Sequence, residues 1–313
     1  MILIEKAFTD FEKMLLHSLR KAPLPLRPYL SHLSNALGKN LRGRALILAA
    51  MDEQGHVHSD AVKLAVSIEL FHLATLVHDD IIDDADIRRG QESLHRKFGR
   101  KQAVLSGDYL FAQAIEVSLS IDPKRSTENF SISSYARLVC VGEIRQGANN
   151  FNLDLSIYRY LSIIRGKTAM LFEAAFAGGA WILGDEENFD SYRRLGRYIG
   201  MIFQMMDDLI DIEQSEATAK KPILSDLREG VITLPLIFAM KADPKIREKI
   251  LSEKEAIDTV AIREMIFRAK GDQKTRAVAD RYYKHALTEL ESLPIGRSKR
   301  EQLRMLLDKA AGH

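Results

Sequence analysis

Leu76-Val-His-Asp-Asp-Ile-Ile-Asp83 and Phe203-Gln-Met-Met-Asp-Asp-Leu-Ile-Asp211 carry one pattern twice: two adjacent aspartates and a third four residues after the first. Each stretch ends a run with helical apolar spacing, which puts the first and last acid on one face about one turn apart. Acids so placed repel one another, and the negative end of the helix macrodipole adds to the penalty. Apolar shoulders, Leu73-Ala-Thr-Leu-Val77 and Met201-Ile-Phe203, raise it further. A single cluster of this kind reads as solvated surface. Two copies with apolar shoulders point to bound cations, and hard oxygen donors at this spacing suit Mg²⁺ shared with a phosphate-bearing substrate.

Working outward, apolar residues recur at three and four: Leu64, Ile68, Phe71 and Thr75, then Tyr160, Ile163, Ile164, Ala169, Phe172 and Phe176. Eight prolines leave 28–123 and 123–222 free of the strongest helix breaker. Ser59 and Asp60 predict a helix start running to about Asp83, Gly99 opens another, and Asp185-Glu-Glu precedes one from about Asn188 to Ile212. Strand-like alternation is hard to find, and no repeat or linker divides the chain. The expectation is all-α: residues 1–313 as a single domain of about a dozen helices. Lys21 to Pro28 is the expected hinge, and helix 1–22 before it packs on the body or on a second subunit. From Asp243 onward charge density rises, so the C-terminal helices are expected to be peripheral.

With 313 residues and 46% hydrophobic content the chain can bury a sizeable core. Lys plus Arg number 45 against 43 acids, with no block of five or more like charges, so a nucleic-acid partner is not suggested. The one cysteine, Cys140, reads as a small buried hydrophobe and fits a reducing compartment. No apolar run is read as reaching the ~18 residues of a membrane span, and the start carries an acid where a signal peptide carries basic charge. A soluble, unprocessed, cytoplasmic protein without a transmembrane segment is the expectation.

A diphosphate needs cations beyond Mg²⁺, so basic residues should lie near the acids. Arg88-Arg89-Gly90 follows the first cluster, Lys221-Pro222 follows the second, Lys167-Thr168 sits mid-helix, and Lys39 and Arg42 precede a helix ending at Met51.

With these residues in view, the chain resembles the trans-isoprenyl (polyprenyl) diphosphate synthases from about Gly38 to Leu307. The matching strings are Gly38-Lys-Asn-Leu-Arg42, Glu69-Leu-Phe-His72, both acidic clusters, Arg88-Arg-Gly90, Gly107-Asp-Tyr-Leu110, Gly166-Lys-Thr-Ala169, Asp226-Leu-Arg-Glu-Gly230 and Thr233-Leu-Pro235. The resemblance implies a helical bundle with a central cavity and a Mg²⁺-dependent, head-to-tail condensation of isopentenyl diphosphate with an allylic diphosphate. It implies Asp79, Asp83 and Asp207 as main ligands of three Mg²⁺ ions, supported by Asp80, Asp208 and Asp211. Arg88, Lys167 and Lys221 would grip the allylic diphosphate, and Lys39, Arg42, His72 and Arg89 that of isopentenyl diphosphate. Gln204 and Thr168 would face the developing cation as dipoles, the released diphosphate would take the proton, and a homodimer is implied. His78 is left as a group supporting the acids. The chain departs from the family pattern at Asn40 and Gly43, where a basic residue and a proline are usual, at Leu224 in place of a glycine, and at Val231 in place of a lysine.

The resemblance implies that product length is set by the side chains under the first cluster. Thr75 is one turn below Asp79, Ala74 is beside it, and Phe71 lies two turns below, roughly 12 Å along the axis. Ala74 and Thr75 are small, so growth beyond fifteen carbons is predicted; Phe71 either forms a deeper floor or turns into the core. Three rivals were weighed. A terpene cyclase would carry an Asn/Ser/Glu-type second motif, a regulatory subunit would lack one acidic cluster, and a di-iron bundle would need Glu-x-x-His pairs near the acids, read as absent. A catalytic subunit needing a small partner stays open.

Overall fold

The computed structural model describes residues 1–121, 130–213, 224–253 and 257–313. Its elements run α1 (Ile4–Arg20), α2 (Arg27–Ser34), α3 (Leu41–Ala49), α4 (Ser59–Ile82), α5 (Leu94–Phe98), α6 (Arg100–Leu119), α7 (Ile132–Gly147) and α8 (Ile157–Ile164). A π-helical turn, Arg165–Ala169, leads into α9 (Met170–Leu183) and α10 (Phe189–Glu213). Then follow α11 (Ser225–Arg228), α12 (Leu234–Ala242), α13 (Lys245–Ser252), α14 (Thr259–Arg268), α15 (Gly271–Ser292) and α16 (Arg297–Ala311). Among the described residues the only strands are two-residue antiparallel pairs, β1 (Ile2–Leu3) with β2 (His56–Val57) and β3 (Ile87–Arg88) with β4 (Gln91–Glu92). The expected all-α class holds, and the helix starts near Ser59, Gly99 and Asn188 lie within a residue or two of those read from the sequence.

The chain divides into two compact units: Met1–Ala136 with Leu171–Gly196 and Leu290–Arg304, and Arg137–Met170 with Arg197–Glu289 and Met305–His313. In the first, α4 is the central rod. Its apolar residues point all round, as in a helix covered on every side, and α1, α3 and α6 pack on it. It is also the one described helix whose length and hydropathy would allow it to cross a membrane, contrary to the reading that no stretch does; 72% of that window is buried inside the protein. Helix α1 buries Phe11, Leu15 and Leu19 against α2, α3 and α4 of its own chain. The second unit is built on Ile163, Met205, Leu209, Ile212, Leu234, Ile237 and Ile262.

Cys140 is exposed on α7 rather than buried as expected. In the C-terminal region, expected to be more peripheral than catalytic, Lys299 on α16 is 3% exposed and its Nζ donates to the carbonyls of Ala49 and Met51 at 2.7 and 2.8 Å. Charge density along a sequence does not reveal which single cation has partners that allow burial.

Candidate active site

In the first unit α4 delivers its acids at its C-terminal end. Asp80 is buried, and Arg88 clamps its Oδ1, the Nε donating at 2.7 Å and an Nη joining it. Asp79 is half-buried and Asp83 exposed, so the two acids that share a face stay accessible while the one between them anchors the following loop. His78 lies against α6: its Nε2 is 3.3 Å from the Val104 carbonyl oxygen and 3.5 Å from an Asp108 oxygen, and a Cβ at Gly107 would come within 2.3 Å of it, which explains the glycine in Gly107-Asp-Tyr-Leu110.

Beside this cluster lies a cationic one. Arg42, in the first turn of α3 rather than before it, donates from Nη1 to Nε2 of His72 at 3.0 Å, and its guanidinium lies 4.7 Å from the Phe172 ring centroid. Arginine has no lone pair to offer, so His72 is neutral with its proton on Nδ1. Burial, and then Arg42, Arg89 and Arg88, holds His72 well below the usual histidine range. Burial also lowers Arg42 to about 10, and its Nε is buried with no hydrogen-bond partner. Arg89 donates to the Ala36 carbonyl at 2.9 Å and fills the space a side chain at Gly38 would need, 2.5 Å from such a Cβ. Lys39 is exposed. Arg42, Arg88 and Arg89, with an unsatisfied N–H among them, make an anion-binding arrangement.

The second unit repeats the acid pattern. Asp208 is 2% exposed, Asp207 exposed and Asp211 half-buried. Thr168 Oγ1 donates to Gln204 Oε1 at 2.6 Å, Gln204 Nε2 donates to Asp208 Oδ1 at 2.9 Å, and Tyr160 donates to the other oxygen of Asp208 at 2.5 Å. Every polar atom in this chain has a partner, which fixes the amide orientation of Gln204. Burial pushes Asp208 up to about 7 against the pull of these hydrogen bonds. Asp211 accepts from the N–H and hydroxyl of Ser225, at 3.3 and 2.9 Å.

Lys167 lies mid-helix, in the π-helical turn within the unbroken helical run from Ile157 to Leu183, and pairs with Glu143 at 2.9 Å. The turn lies backbone to backbone against Gly142, where a Cβ would come within 2.4 Å of the Lys167 N. One extra residue in the turn re-aims the side chains that follow, a common device at functional sites. Lys221 lies outside the described residues. Leu224, where a glycine is usual, holds a left-handed φ of 53° while 2% exposed. The backbone therefore keeps the conformation that favours glycine, at a cost of roughly 1–2 kcal/mol.

Two functional candidates escaped the sequence reading. Asp226 is pushed well above the carboxylate range by burial and then by Asp211, Asp208 and Asp207. Four carboxylates sharing one region, with oxygen donors alone, are the chemistry of a hard divalent-cation site. No three His, Cys, Asp or Glu among the described residues already close round a metal. The other is Tyr160, whose sole sequence signal was helical spacing. The Glu-x-x-His reading also needs correction: Glu69-Leu-Phe-His72 has that spacing. Glu69 accepts from the Gly43 N–H at 2.8 Å and His72 from Arg42, so both are engaged with protein donors.

The polyprenyl synthetase family model matches residues 25–266. The chain belongs to the polyprenyl synthetase family. It is 35% identical over 282 residues to heptaprenyl diphosphate synthase component 2 of Geobacillus stearothermophilus, covering 88% of this chain and 86% of that one. It is 35% identical over 234 residues to solanesyl-diphosphate synthase 2, chloroplastic, of Oryza sativa subsp. japonica, covering 74% and 58%. The crystal structure of heptaprenyl diphosphate synthase from Staphylococcus aureus superposes with a TM-score of 0.90 at 30% identity, covering 100% of this chain and 99% of that one. This polyprenyl synthetase is therefore a prenyltransferase of the all-helical isoprenoid synthase type, as the resemblance implied.

Proposed function

We propose that this polyprenyl synthetase adds isopentenyl diphosphate head to tail to an allylic diphosphate and carries the all-trans chain beyond fifteen carbons. The observation that carries this reading is the repeated acid arrangement, two accessible aspartates flanking one buried and anchored, by Arg88 in the first trio and by Tyr160 and Gln204 in the second, in a chain whose relatives include heptaprenyl and solanesyl synthases. Asp79, Asp83, Asp207 and Asp211 hold Mg²⁺, three ions with the diphosphate, while Asp80 and Asp208 set the geometry around them. Mg²⁺, when bound, supplies neutralisation of the leaving diphosphate. Arg88 and Lys167 bind that diphosphate, with Lys221 assigned alongside them. Arg42, Arg89, Lys39 and His72 hold the diphosphate of isopentenyl diphosphate.

The allylic carbon–oxygen bond breaks and its electron pair leaves with diphosphate. The alkene of isopentenyl diphosphate forms the new carbon–carbon bond, and a proton is lost to the released diphosphate. Gln204 and Thr168, locked by their hydrogen bonds, present fixed dipoles to the cation in a water-poor cavity. Ala74 and Thr75 leave room beneath the first cluster.

A cytoplasmic homodimer is the proposed assembly, supported by apolar side chains left exposed on α6 (Val104, Leu105, Leu119) and on α7 (Leu138, Val141, Ile144). The relatives named component 2 favour a second reading, a catalytic subunit that works with a small partner. Purified protein with isopentenyl diphosphate, farnesyl diphosphate and Mg²⁺, its products sized by mass spectrometry, tests both. Products longer than fifteen carbons from the protein alone support the first reading, and turnover only after a partner subunit is added supports the second. No elongation under either condition contradicts both.

A further inference from the structure

We propose that Glu69 is a positioning residue for the isopentenyl diphosphate site, acting from α4 as the cap of α3 and thereby setting where Arg42 points; this rests on the function proposed above. The first turn of α3 has no local cap. Asn40, at the capping position, is left-handed (φ 48°) and its side chain makes no cap hydrogen bond. The orphan N–H groups of a helix start need an acceptor when buried. Glu69, 3% exposed, provides it: Oε1 accepts from the Gly43 N–H at 2.8 Å.

An ionised carboxylate is costly to bury without partners. Burial raises the Glu69 carboxyl above the usual carboxylate range, and Arg42, the Gly43 N–H and Arg89, at the positive end of the α3 dipole, pull it back toward the ionised form. Position 43 suits this role in two ways. A proline there would have no N–H to donate. Any side chain there would meet the Phe11 ring at 2.5 Å and Glu69 Cγ at 3.1 Å, so glycine lets α1 and α4 close on the α3 start. Arg42 departs from this capped turn to reach His72, one turn of α4 beyond Glu69, so a single helix holds both the backbone of the next residue, Gly43, and the Arg42 guanidinium.

The test is Glu69→Gln, which keeps an acceptor and the shape but removes the charge, with Arg42→Lys and the double variant. KM for isopentenyl diphosphate should rise about five- to thirtyfold in Glu69→Gln, while KM for farnesyl diphosphate and kcat at saturation stay within about twofold. In the Arg42→Lys background the Glu69→Gln effect should shrink markedly, since both act through one guanidinium. Equal rises in both KM values, or effects that multiply independently, overturn the proposal. Calorimetric titration of isopentenyl diphosphate without Mg²⁺ or allylic substrate gives the same comparison apart from turnover. A wild type that binds and never turns over sinks the proposed reaction while the titration still judges Glu69. Unchanged affinity in Glu69→Gln rejects the positioning role.

Discussion

Asp208 ionises near pH 7 in the folded chain against 3.8 as its ordinary value, burial being the main cause. Its folded-state proton affinity is raised, so the stability it contributes is complete below about pH 4 and is lost as pH climbs to about 7. The slope is on the order of 1 kcal/mol per pH unit. Urea unfolding at pH 5 and pH 7.5 should therefore show the wild type losing stability relative to Asp208→Asn, in which the group cannot ionise; parallel behaviour would refute the assignment. Tyr160→Phe removes one of the two donors to a buried carboxylate and should cost about 1–3 kcal/mol at pH 7.5. The accessible acids behave differently, since Asp79→Asn and Asp207→Asn should each reduce kcat by about 10²-fold or more in steady-state assays with little change in unfolding midpoint. The type and spacing of these acids were legible from the sequence, which repeats them plainly. Which of each trio is buried was not, because Arg88 and Tyr160 reach Asp80 and Asp208 through the fold rather than along one helix.

At the scale of elements, α4 combines an apolar body with an acidic end, and both properties follow from its composition. The direction of Phe71 does not. Its ring is 1% exposed and meets Phe111 of α6 edge-on, with centroids 5.0 Å apart at 70°. Phe71→Ala should cost about 3–5 kcal/mol in unfolding experiments and lengthen the product distribution; identical products would remove Phe71 from the growth path. The pin between α16 and α3 is testable by pH. Burial lowers Lys299 to about 8 from 10.5, so its contribution to stability is complete above about pH 10.5 and lost as pH falls through 8. The wild type should gain on Lys299→Met between pH 8 and pH 10 in denaturant titrations, and a constant difference would contradict the assignment. Helical spacing and capping residues placed the starts of α4, α6 and α10 to within a residue or two, whereas α7, α9, α15 and α16 had no bounds from the sequence. The π-helical turn at Arg165–Ala169 has no periodic signature of its own, and the burial of Lys299 depends on carbonyls roughly 250 residues away in sequence.

For the whole molecule, family and fold class could be read from strings spread across the chain, and the family model and the superposition agree with them. The division into two compact units could not, because α10 and α16 each continue from one unit into the other with no break in helical pattern. Each unit carries one acid trio with a buried, anchored middle member, and divalent metal held by both trios is the central claim of the proposed function. A crystal grown with Mn²⁺ and a non-hydrolysable allylic diphosphate analogue tests it most directly through the anomalous signal of the metal. Metal peaks coordinated by the analogue together with Asp79 or Asp83 and with Asp207 are the predicted result. Metal bound by one trio alone, or an analogue seated away from both, would contradict the account.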